Sequence, residues 1–330
     1  MFAEAIESII TQQCTPATVR AIEGGASPQP LAAAFDDAGF HELLAPEDQG
    51  GGGASWREFF DVVLLCGAYS VPLPLPQTIA ARSLVADLQA LPRGGLLTLA
   101  PALGETEDGG FEAMHLPFAR VSSHVLAMQS DAMLLLPTAD GHVTPSGIHG
   151  SLAATLRWPR TAGRRIASAV SGEQFQALAA LLHAGLLAGA MKRTFDLTMA
   201  YANERSQFGK RIGKFQAIQH QLSVMAEHVA AGRMAAEAAF ASGVGLPGIA
   251  ACAVAKARTS EAAQLVASIA HAVHGAIGIT EEYDLQLSTR RLHEWRLAHG
   301  SEAWWHRRVG ELFIESEAPI AADFVRSIFS

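Results

Sequence analysis

The chain has 330 residues, a net charge of -8, 49% hydrophobic residues and 17% charged residues. The charged fraction lies below the roughly 25% typical of globular proteins, and so apolar a composition excludes a disordered chain. The 30 glycines and 15 prolines show no three-residue period, which excludes a collagen. The acidic balance argues against non-specific binding to nucleic acid, which needs basic surfaces. We expect a helix-rich chain with a large core or a large buried interface.

Three features indicate where the protein resides. Cys14, Cys66 and Cys252 are scattered and odd in number, which is typical of a reducing compartment and excludes a cysteine-only zinc site. Met1–Thr11 carries two acidic residues and no basic one, so we expect no signal peptide. The longest apolar stretch, Ala177–Met191, is shorter than a membrane span needs. These features predict a cytoplasmic protein with no membrane span, in which that stretch is a buried core helix.

Residues 1–93 are predicted to form an N-terminal helical domain. Apolar residues recur at helical spacing in Ala32–Phe40 and in Ser55–Cys66. Between them, Pro46–Gly53 ends in four consecutive glycines, which could suggest a phosphate-binding loop. Neither a G-x-G-x-x-G pattern nor a following Lys-Ser/Thr is present, so a flexible connection is the better interpretation.

Residues 94–165 are predicted to form a small β-domain. Short apolar runs bounded by glycine, proline, aspartate and serine are typical of strands. The candidate strands are Leu96–Leu99, Val125–Met128, Met133–Leu136 and Leu152–Trp158.

Residues 166–330 are predicted to form a helical bundle. The first helix is Phe175–Arg205, and its Gly185 and Gly189 share one face, where they permit a neighbouring helix to approach closely. The second predicted helix carries an apolar stripe, Ile218, Leu222, Met225 and Val229. The third runs from Pro247 to about His274, the fourth begins near Leu285, and the fifth follows Gly300. Long helices joined by short loops make an antiparallel bundle. The predicted fold is mainly α with a small β-domain: an N-terminal helical domain, a middle β-domain and a C-terminal four-helix-type bundle.

Two segments of the last third carry a family resemblance. Glu204–Gln219 reads ERSQFGKRIGKFQAIQ, and His274–Leu285 reads HGAIGITEEYDL, followed downstream by Leu297–Ser301, LAHGS. They resemble the "ER-x-x-FGK…FQ", "GG-x-G…EY" and "EGT" segments of the flavin-dependent acyl-CoA dehydrogenase family. The resemblance covers residues 170–315 and, more loosely, the N-terminal half. It implies the same three-part fold, FAD as cofactor, and α,β-dehydrogenation of an acyl-CoA thioester.

The first segment also has a chemical interpretation of its own. A loop holding Arg205, Gln207 and Phe208 can engage a pyrophosphate and a flat ring, and an ordinary exposed loop between helices is the alternative. The resemblance implies that FAD contacts come, across a subunit interface, from Arg205, Gln207, Phe208, Phe215 and Gln216, with His271 and Gly275 at the second turn. His271 and His274 also have a metal-ligand spacing. No third ligand follows them at a suitable distance, so we predict no metal site.

The base that the chemistry requires is missing from both positions that the family uses. The glutamate of "EGT" is replaced by His299, and the other known position, 26 residues before Arg205, is Ala179. The catalytic residue is therefore unassigned, and three alternatives stay open. His299 is itself the base; a nearby acid such as Glu302 or Glu173 is recruited; or the chain is a partner subunit with a degenerate site. In the last case a homologous catalytic chain completes the FAD pocket, as in heteromeric members that act on steroid side-chain CoA esters.

The β-domain departs from the family as well, because Leu97–Gly104 lacks the "TEPGAGSD"-like stretch. The resemblance implies an acyl-CoA thioester as substrate, a homologous subunit in a homo- or hetero-oligomer, and an electron acceptor of the electron-transfer-flavoprotein type. It places the chain in fatty acid or steroid side-chain metabolism. Other functions that stay open are a non-catalytic structural partner and a related flavoenzyme such as an acyl-CoA oxidase or a nitroalkane oxidase.

Overall fold

The computed structural model describes residues 2–130, 132–243 and 245–329. The helices are α1 (Phe2–Gln13), α2 (Pro16–Glu23), α3 (Gln29–Asp37), α4 (Trp56–Ala68), α5 (Leu75–Ser83), α6 (Gly172–Glu204), α7 (Gln216–Phe240), α8 (Ile249–His274), α9 (Leu285–Trp295), α10 (Glu302–Glu315) and α11 (Ala321–Ile328). The strands are β1 (Leu97–Ala100), β2 (Gly104–Glu105), β3 (Phe111–Leu116), β4 (His124–Gln129), β5 (Ala132–Pro137), β6 (His142–Pro145), β7 (Ala154–Trp158), β8 (Arg164–Ile166), β9 (Ser206–Gln207) and β10 (Lys210–Arg211).

The chain divides into two compact units. The first comprises Met1–Val62 with Val71–Leu182, and the second comprises Val63–Ser70 with His183–Ser330. The predicted order of helices, strands and bundle helices is confirmed, and the fold is mainly α with a small β-domain. The three domain boundaries that the sequence suggested stay a prediction.

Local sequence signals set the helices of the first unit. Before α4, the Ser55 hydroxyl accepts from the Glu58 N–H at 3.2 Å, and the Glu58 carboxylate accepts from the Ser55 N–H at 2.9 Å. This reciprocal pair is a capping box, and it fixes the start of the helix predicted over Ser55–Cys66. The helix predicted over Ala32–Phe40 begins and ends three residues earlier, at Gln29 and Asp37, and Gly39 then turns the chain with φ +74°.

Two four-stranded sheets make up the β-layer of the first unit. One has the order β1-β4-β5-β8, with β1 parallel to β4 and its other pairs antiparallel, and the other is the antiparallel sheet β2-β3-β7-β6. Alternate residues of the strands pack into one core, as the two-residue period of a strand requires. The indole N–H of Trp158 donates to the Pro137 carbonyl at 2.8 Å and ties β7 to the end of β5.

Helix packing in the second unit uses the two glycines of α6. A Cβ at Gly189 would lie 2.0 Å from the Leu64 carbonyl oxygen, and one at Gly185 would lie 2.7 Å from Val63 Cγ1. A carbon atom does not approach other heavy atoms this closely, so a side chain at Gly189 would overlap the backbone of α4 and one at Gly185 would displace the Val63 side chain. The predicted close approach of a neighbouring helix is confirmed, and α4 is that helix.

Among the residues that the structure describes, two helices are long and apolar enough to cross a membrane by length and composition, Gly172–Glu204 and the segment Ile249–Ile279. In the most apolar window of the first, 89% of residues are buried inside the protein, against 44% in the second. Ala177–Met191 is buried throughout, so this stretch is a core helix as predicted.

Candidate functional site

A two-residue turn presents an aromatic side chain between α6 and α7. The strands β9 and β10 form an antiparallel hairpin whose tip is Phe208 and Gly209, with φ of +51° and +78°. Both central residues of such a turn need positive φ, which glycine adopts freely and a bulky residue only with strain. The Phe208 side chain is 90% exposed, so packing does not explain its place. Strain that persists without a packing reason is a signal of function.

An open cavity of about 460 Å³ lies beside this hairpin. The hairpin, the start of α7 and the C-terminal end of α8 form its walls. It is lined by Tyr201, Arg205, Gln207, Phe208, Ile212, Phe215, Ala217, Ile218, Ala272, Val273, His274 and Gly275. The volume falls in the range of small-molecule sites, and apolar walls with a few polar groups are typical of them. We call this cavity the hairpin pocket.

The hairpin and the short segment after it are rich in positive charge. Arg205, Lys210, Arg211 and Lys214 are exposed, and none of them forms an ion pair within the part of the chain that the structure describes. The Lys210 ammonium lies 4.2 Å from the centre of the Phe215 ring, a cation–π contact. Uncompensated cations favour an anionic group, and the guanidinium of Arg205 suits a phosphate because it can donate two parallel hydrogen bonds.

Two stacked rings, those of Tyr201 and His274, belong to the lining of the hairpin pocket. The Tyr201 and His274 rings lie 4.4 Å apart at an interplanar angle of 23°, and the Tyr283 ring is 5.3 Å from that of His274. The imidazole is 4% exposed, and its Nδ1 lies 2.8 Å from the Ala270 carbonyl oxygen. Burial lowers the pKa of His274, so the imidazole is neutral at pH 7.

Gly275 ends α8 with φ +64° and ψ -143°, a backbone conformation that is essentially restricted to glycine. A Cβ here would meet no atom within 4 Å, so the requirement for glycine is conformational rather than steric. The predicted helix end near His274 is confirmed, and Gly275 terminates the helix. The hairpin pocket thus has an open stretch of backbone at this edge.

The structure brings most of the predicted cofactor residues together in one place. The hairpin pocket is lined by Arg205, Gln207, Phe208, Phe215 and Gly275. Gln216 is the exposed first residue of α7, and His271 lies outside the lining. Burial lowers the pKa of His271, and the nearby His293 adds to this. No group of three or more residues that could hold a metal occurs within the described ranges. Sequence reasoning missed Tyr201 and the imidazole of His274 as lining residues.

The position of the family base is occupied by a cluster of nitrogen groups. His299 has φ +56°, its ring lies 4.8 Å from that of His183, and its carbonyl accepts from the Trp305 indole at 3.1 Å. Its Nε2 atom is buried. Burial lowers the pKa of His299 well below its usual value, and the charges of His183 and Lys256 lower it further. The imidazole is therefore neutral, but its Nε2 faces protein rather than solvent.

Lys256 is the centre of this cluster and is fully buried. Its ammonium donates to the Ser260 hydroxyl at 2.8 Å and to the carbonyls of Trp295 and Arg296, both at 2.9 Å. Burial lowers the pKa of Lys256 to about 7. Sequence reasoning missed it, although a lone lysine in the apolar helix α8 is a signal that such a residue needs a specific partner.

The other candidate acids are poorly suited to remove a proton. Glu302 forms an ion pair with Arg296. Burial alone would raise the pKa of Glu302, but the hydrogen bond from Arg296 and the nearby positive charges outweigh it and lower the pKa. Glu173 is exposed in the first turn of α6, and Ala179 is buried and has no ionisable group.

Comparisons with known proteins agree with this geometry. The family model "Acyl-CoA dehydrogenase, C-terminal domain" matches residues 173–311. The chain is similar to acyl-CoA dehydrogenase IpdE2 of Mycolicibacterium smegmatis, with 29% identity over 89% of this chain and 91% of that one. It is also similar to acyl-CoA dehydrogenase FadE34 of Mycobacterium tuberculosis, with 33% identity over 86% of this chain but 42% of that one.

A solved structure shares the fold. A chain of the ChsE4-ChsE5 complex from Mycobacterium tuberculosis aligns with a TM-score of 0.83 and 21% identity, over 96% of this chain and 97% of that one. The shared fold, the matched C-terminal domain and the full-length relative agree with one another. The chain belongs to the acyl-CoA dehydrogenase family of flavoprotein oxidoreductases.

Proposed function

We propose that this chain is a non-catalytic subunit of an FAD-dependent acyl-CoA dehydrogenase, and that its hairpin pocket completes the FAD site of a homologous catalytic chain. The observation that carries the proposal is a contrast between two sites of one unit. The hairpin pocket gathers Arg205, Phe208 and Phe215 around an open cavity. The base position instead holds His299, whose Nε2 atom is buried against other side chains.

The hairpin pocket suits an adenine dinucleotide. Arg205 offers paired donors to a pyrophosphate, and the further cations of the hairpin raise the local positive potential. Phe208 and Phe215 meet edge to face at 6.3 Å, which leaves the face of Phe208 open for a flat ring. The residues present therefore fit FAD, with the phosphates at Arg205 and a ring among the aromatic side chains.

The chain does not suit the proton-transfer half of the reaction. Dehydrogenation needs a base to remove the α-proton, while the flavin, when bound, accepts the β-hydrogen as hydride. A base must have an accessible lone pair beside the substrate. His299 presents a buried Nε2, and Glu302 is held as a carboxylate by Arg296. The proposal therefore places the base on the partner chain.

The β-layer of the first unit gives independent support. Leu97–Gly104 leads into an acidic hairpin, which borders a cavity of about 730 Å³. Carboxylates of Glu105, Glu107, Asp108 and Glu112 line this cavity, and the carboxylate of Glu112 is paired with Arg157. The remaining negative charges repel phosphate groups. We infer that FAD and the acyl-CoA thioester depend on the β-domain of the partner.

If the enzyme is heteromeric, it is clear why this chain has the cofactor residues of the hairpin pocket but lacks the catalytic base. The ChsE4-ChsE5 complex, whose fold this chain shares, is named for two different chains. We propose by analogy a homologous subunit as partner, an acceptor of the electron-transfer-flavoprotein type, a bulky acyl-CoA substrate, and a cytoplasmic location.

The test compares two variants of the hairpin. The chain is co-purified with a homologous chain that carries the family's glutamate base, and FAD retention is measured from the flavin absorbance. Because charge-assisted hydrogen bonds contribute about 1.5–3 kcal/mol, Arg205→Ala is expected to weaken FAD binding by about 10- to 100-fold. Arg211→Ala removes a cation of the same hairpin that lies outside the pocket lining, and it should change binding by less than about 3-fold. Equal effects of the two variants would refute a specific phosphate contact.

A further inference from the structure

Charged and titratable side chains meet inside the first unit, far along the chain from the hairpin pocket. The helical turn Phe40–Glu42 packs against α3 and α5. The turn contributes His41 and Glu42 to this place, α3 contributes Asp36, and α5 contributes Arg82. We call these four residues the His41 cluster.

The imidazole of His41 is completely buried. Nδ1 lies 2.9 Å from Asp36 Oδ1, although not at the angles of a hydrogen bond, and no residue in the described ranges offers a hydrogen-bond partner to Nε2. A neutral imidazole has one N–H group, whereas a protonated one has two. A charged ring here would therefore keep at least one N–H unpaired and away from water, which is costly.

The cation of the His41 cluster already has its partners. The Arg82 guanidinium is 3% exposed, and its Nη1 lies 3.3 Å from Glu42 Oε1. Its Nη2 donates to the Pro92 carbonyl at 2.9 Å, which ties α5 to the segment before β1. Glu42 is thus committed to Arg82, and a second buried cation beside it would meet repulsion.

The charges around His41 decide the direction of its titration. Burial lowers the pKa of His41, and this outweighs the opposing charges of Asp36 and Glu42, while the charge of Arg82 lowers it further. Asp37, the other charged residue of α3, is exposed. The ring is neutral in the closed arrangement, whereas the same ring in water takes up a proton near pH 6.5.

We propose that His41 is an acid-sensitive tie: protonation of its imidazole opens the contact of the turn Phe40–Glu42 with α3 and α5, while the β-layer of the same unit stays folded. The open state binds a proton that the closed state excludes. The closed state is therefore fully stable above pH 6.5 and loses stability as the pH falls below it. This inference does not depend on the hairpin pocket or on FAD.

The test is hydrogen exchange of the full chain at pH 7.5 and pH 5.5, expressed as protection factors so that the change in intrinsic exchange rate cancels. An open-state pKa near 6.5 and a closed state that excludes the proton give about a 10-fold loss of protection over this interval. We expect that loss in α3 and in Phe40–Glu42, and a change of less than about 2-fold in β4 and β5.

Two matched variants assign the effect to one side chain. His41→Phe keeps a flat ring of similar size that cannot be protonated, so the loss of protection at pH 5.5 should disappear. His142→Phe makes the same change at an exposed imidazole in β6 of the same unit, and it should keep the wild-type loss.

Three outcomes would overturn the proposal. They are unchanged protection in wild-type α3, an equal loss in β4 and β5, or a loss that persists in His41→Phe. A fourth measurement needs no variant, so a poorly folding His41→Phe leaves the test decisive. In the wild-type chain, the nitrogen resonances of the His41 ring should stay those of a neutral imidazole in the closed state at pH 5.5. A ring that becomes charged near pH 6.5 without loss of protection would also refute the tie.

Discussion

The strained tip of the hairpin gives a prediction in which stability and binding change in opposite directions. Phe208→Asn places, before Gly209, a residue that adopts positive φ more readily and that is common in this type of turn. The substitution relieves about 1 kcal/mol of backbone strain. It also removes the edge-to-face contact with Phe215, worth about 0.5 kcal/mol. Since the Phe208 side chain is 90% exposed, little burial is lost. The free energy of unfolding should rise by about 0.5 kcal/mol.

Binding should respond in the opposite direction. If Phe208 supplies a face to a flat ring, its removal should cost about 1–3 kcal/mol of stacking, or at least about 5-fold in affinity for ADP. Thermal unfolding and calorimetric titration of the same sample measure the two effects. Phe208→Tyr keeps both the ring and the strain, so it should match the wild type in both assays. A Phe208→Asn chain that is more stable and binds ADP normally would refute the interpretation of the turn as a binding device.

Three further predictions concern His299, Lys256 and two glycines of the helices. His299→Ala should leave the turnover of the two-chain enzyme within about 2-fold of wild type. His299→Glu should not make the lone chain active. Steady-state kinetics with an acyl-CoA substrate measure both effects. Because burial lowers the pKa of Lys256 from 10.5 to about 7, the unfolded chain binds more protons between these values. The contribution of Lys256 to stability therefore rises with pH from about 7. The free energy of unfolding of the wild type minus that of Lys256→Met, measured with denaturant, should be larger at about pH 8.5 than at about pH 7. Gly189→Ala should destabilise by more than about 2 kcal/mol because its Cβ would overlap a backbone oxygen of α4, whereas Gly310→Ala, with open space in α10, should stabilise by up to about 1 kcal/mol.

The long elements of the fold were predictable from sequence because their signals are local. The apolar periodicity of α6 to α8 and the glycine at the end of α8 specify helices without reference to distant residues. The short strands β3, β6 and β8 and the C-terminal helix α11 were not predicted. Strands of three to six residues, paired with partners far along the chain, depend on tertiary contacts that a local pattern does not contain.

The candidate site likewise contains residues that could be predicted from the sequence and contacts that could not. Arg205, Gln207 and Phe208 could be proposed because they are contiguous and carry a recognisable segment. The stacking of Tyr201 on His274 joins residues 73 positions apart, and the contact between His183 and His299 spans more than a hundred. Such contacts arise only when helices pack, so they could not be predicted from a single sequence.

An anaerobic titration with an acyl-CoA thioester asks whether this chain has a usable base of its own. The flavin spectrum is followed for this chain alone, supplied with FAD, and for its complex with a homologous chain that carries the glutamate base. Reduction of the flavin bleaches its absorbance. We expect bleaching in the complex and none with the lone chain. Bleaching of the lone chain by substrate, lost in His299→Ala, would instead identify His299 as the base.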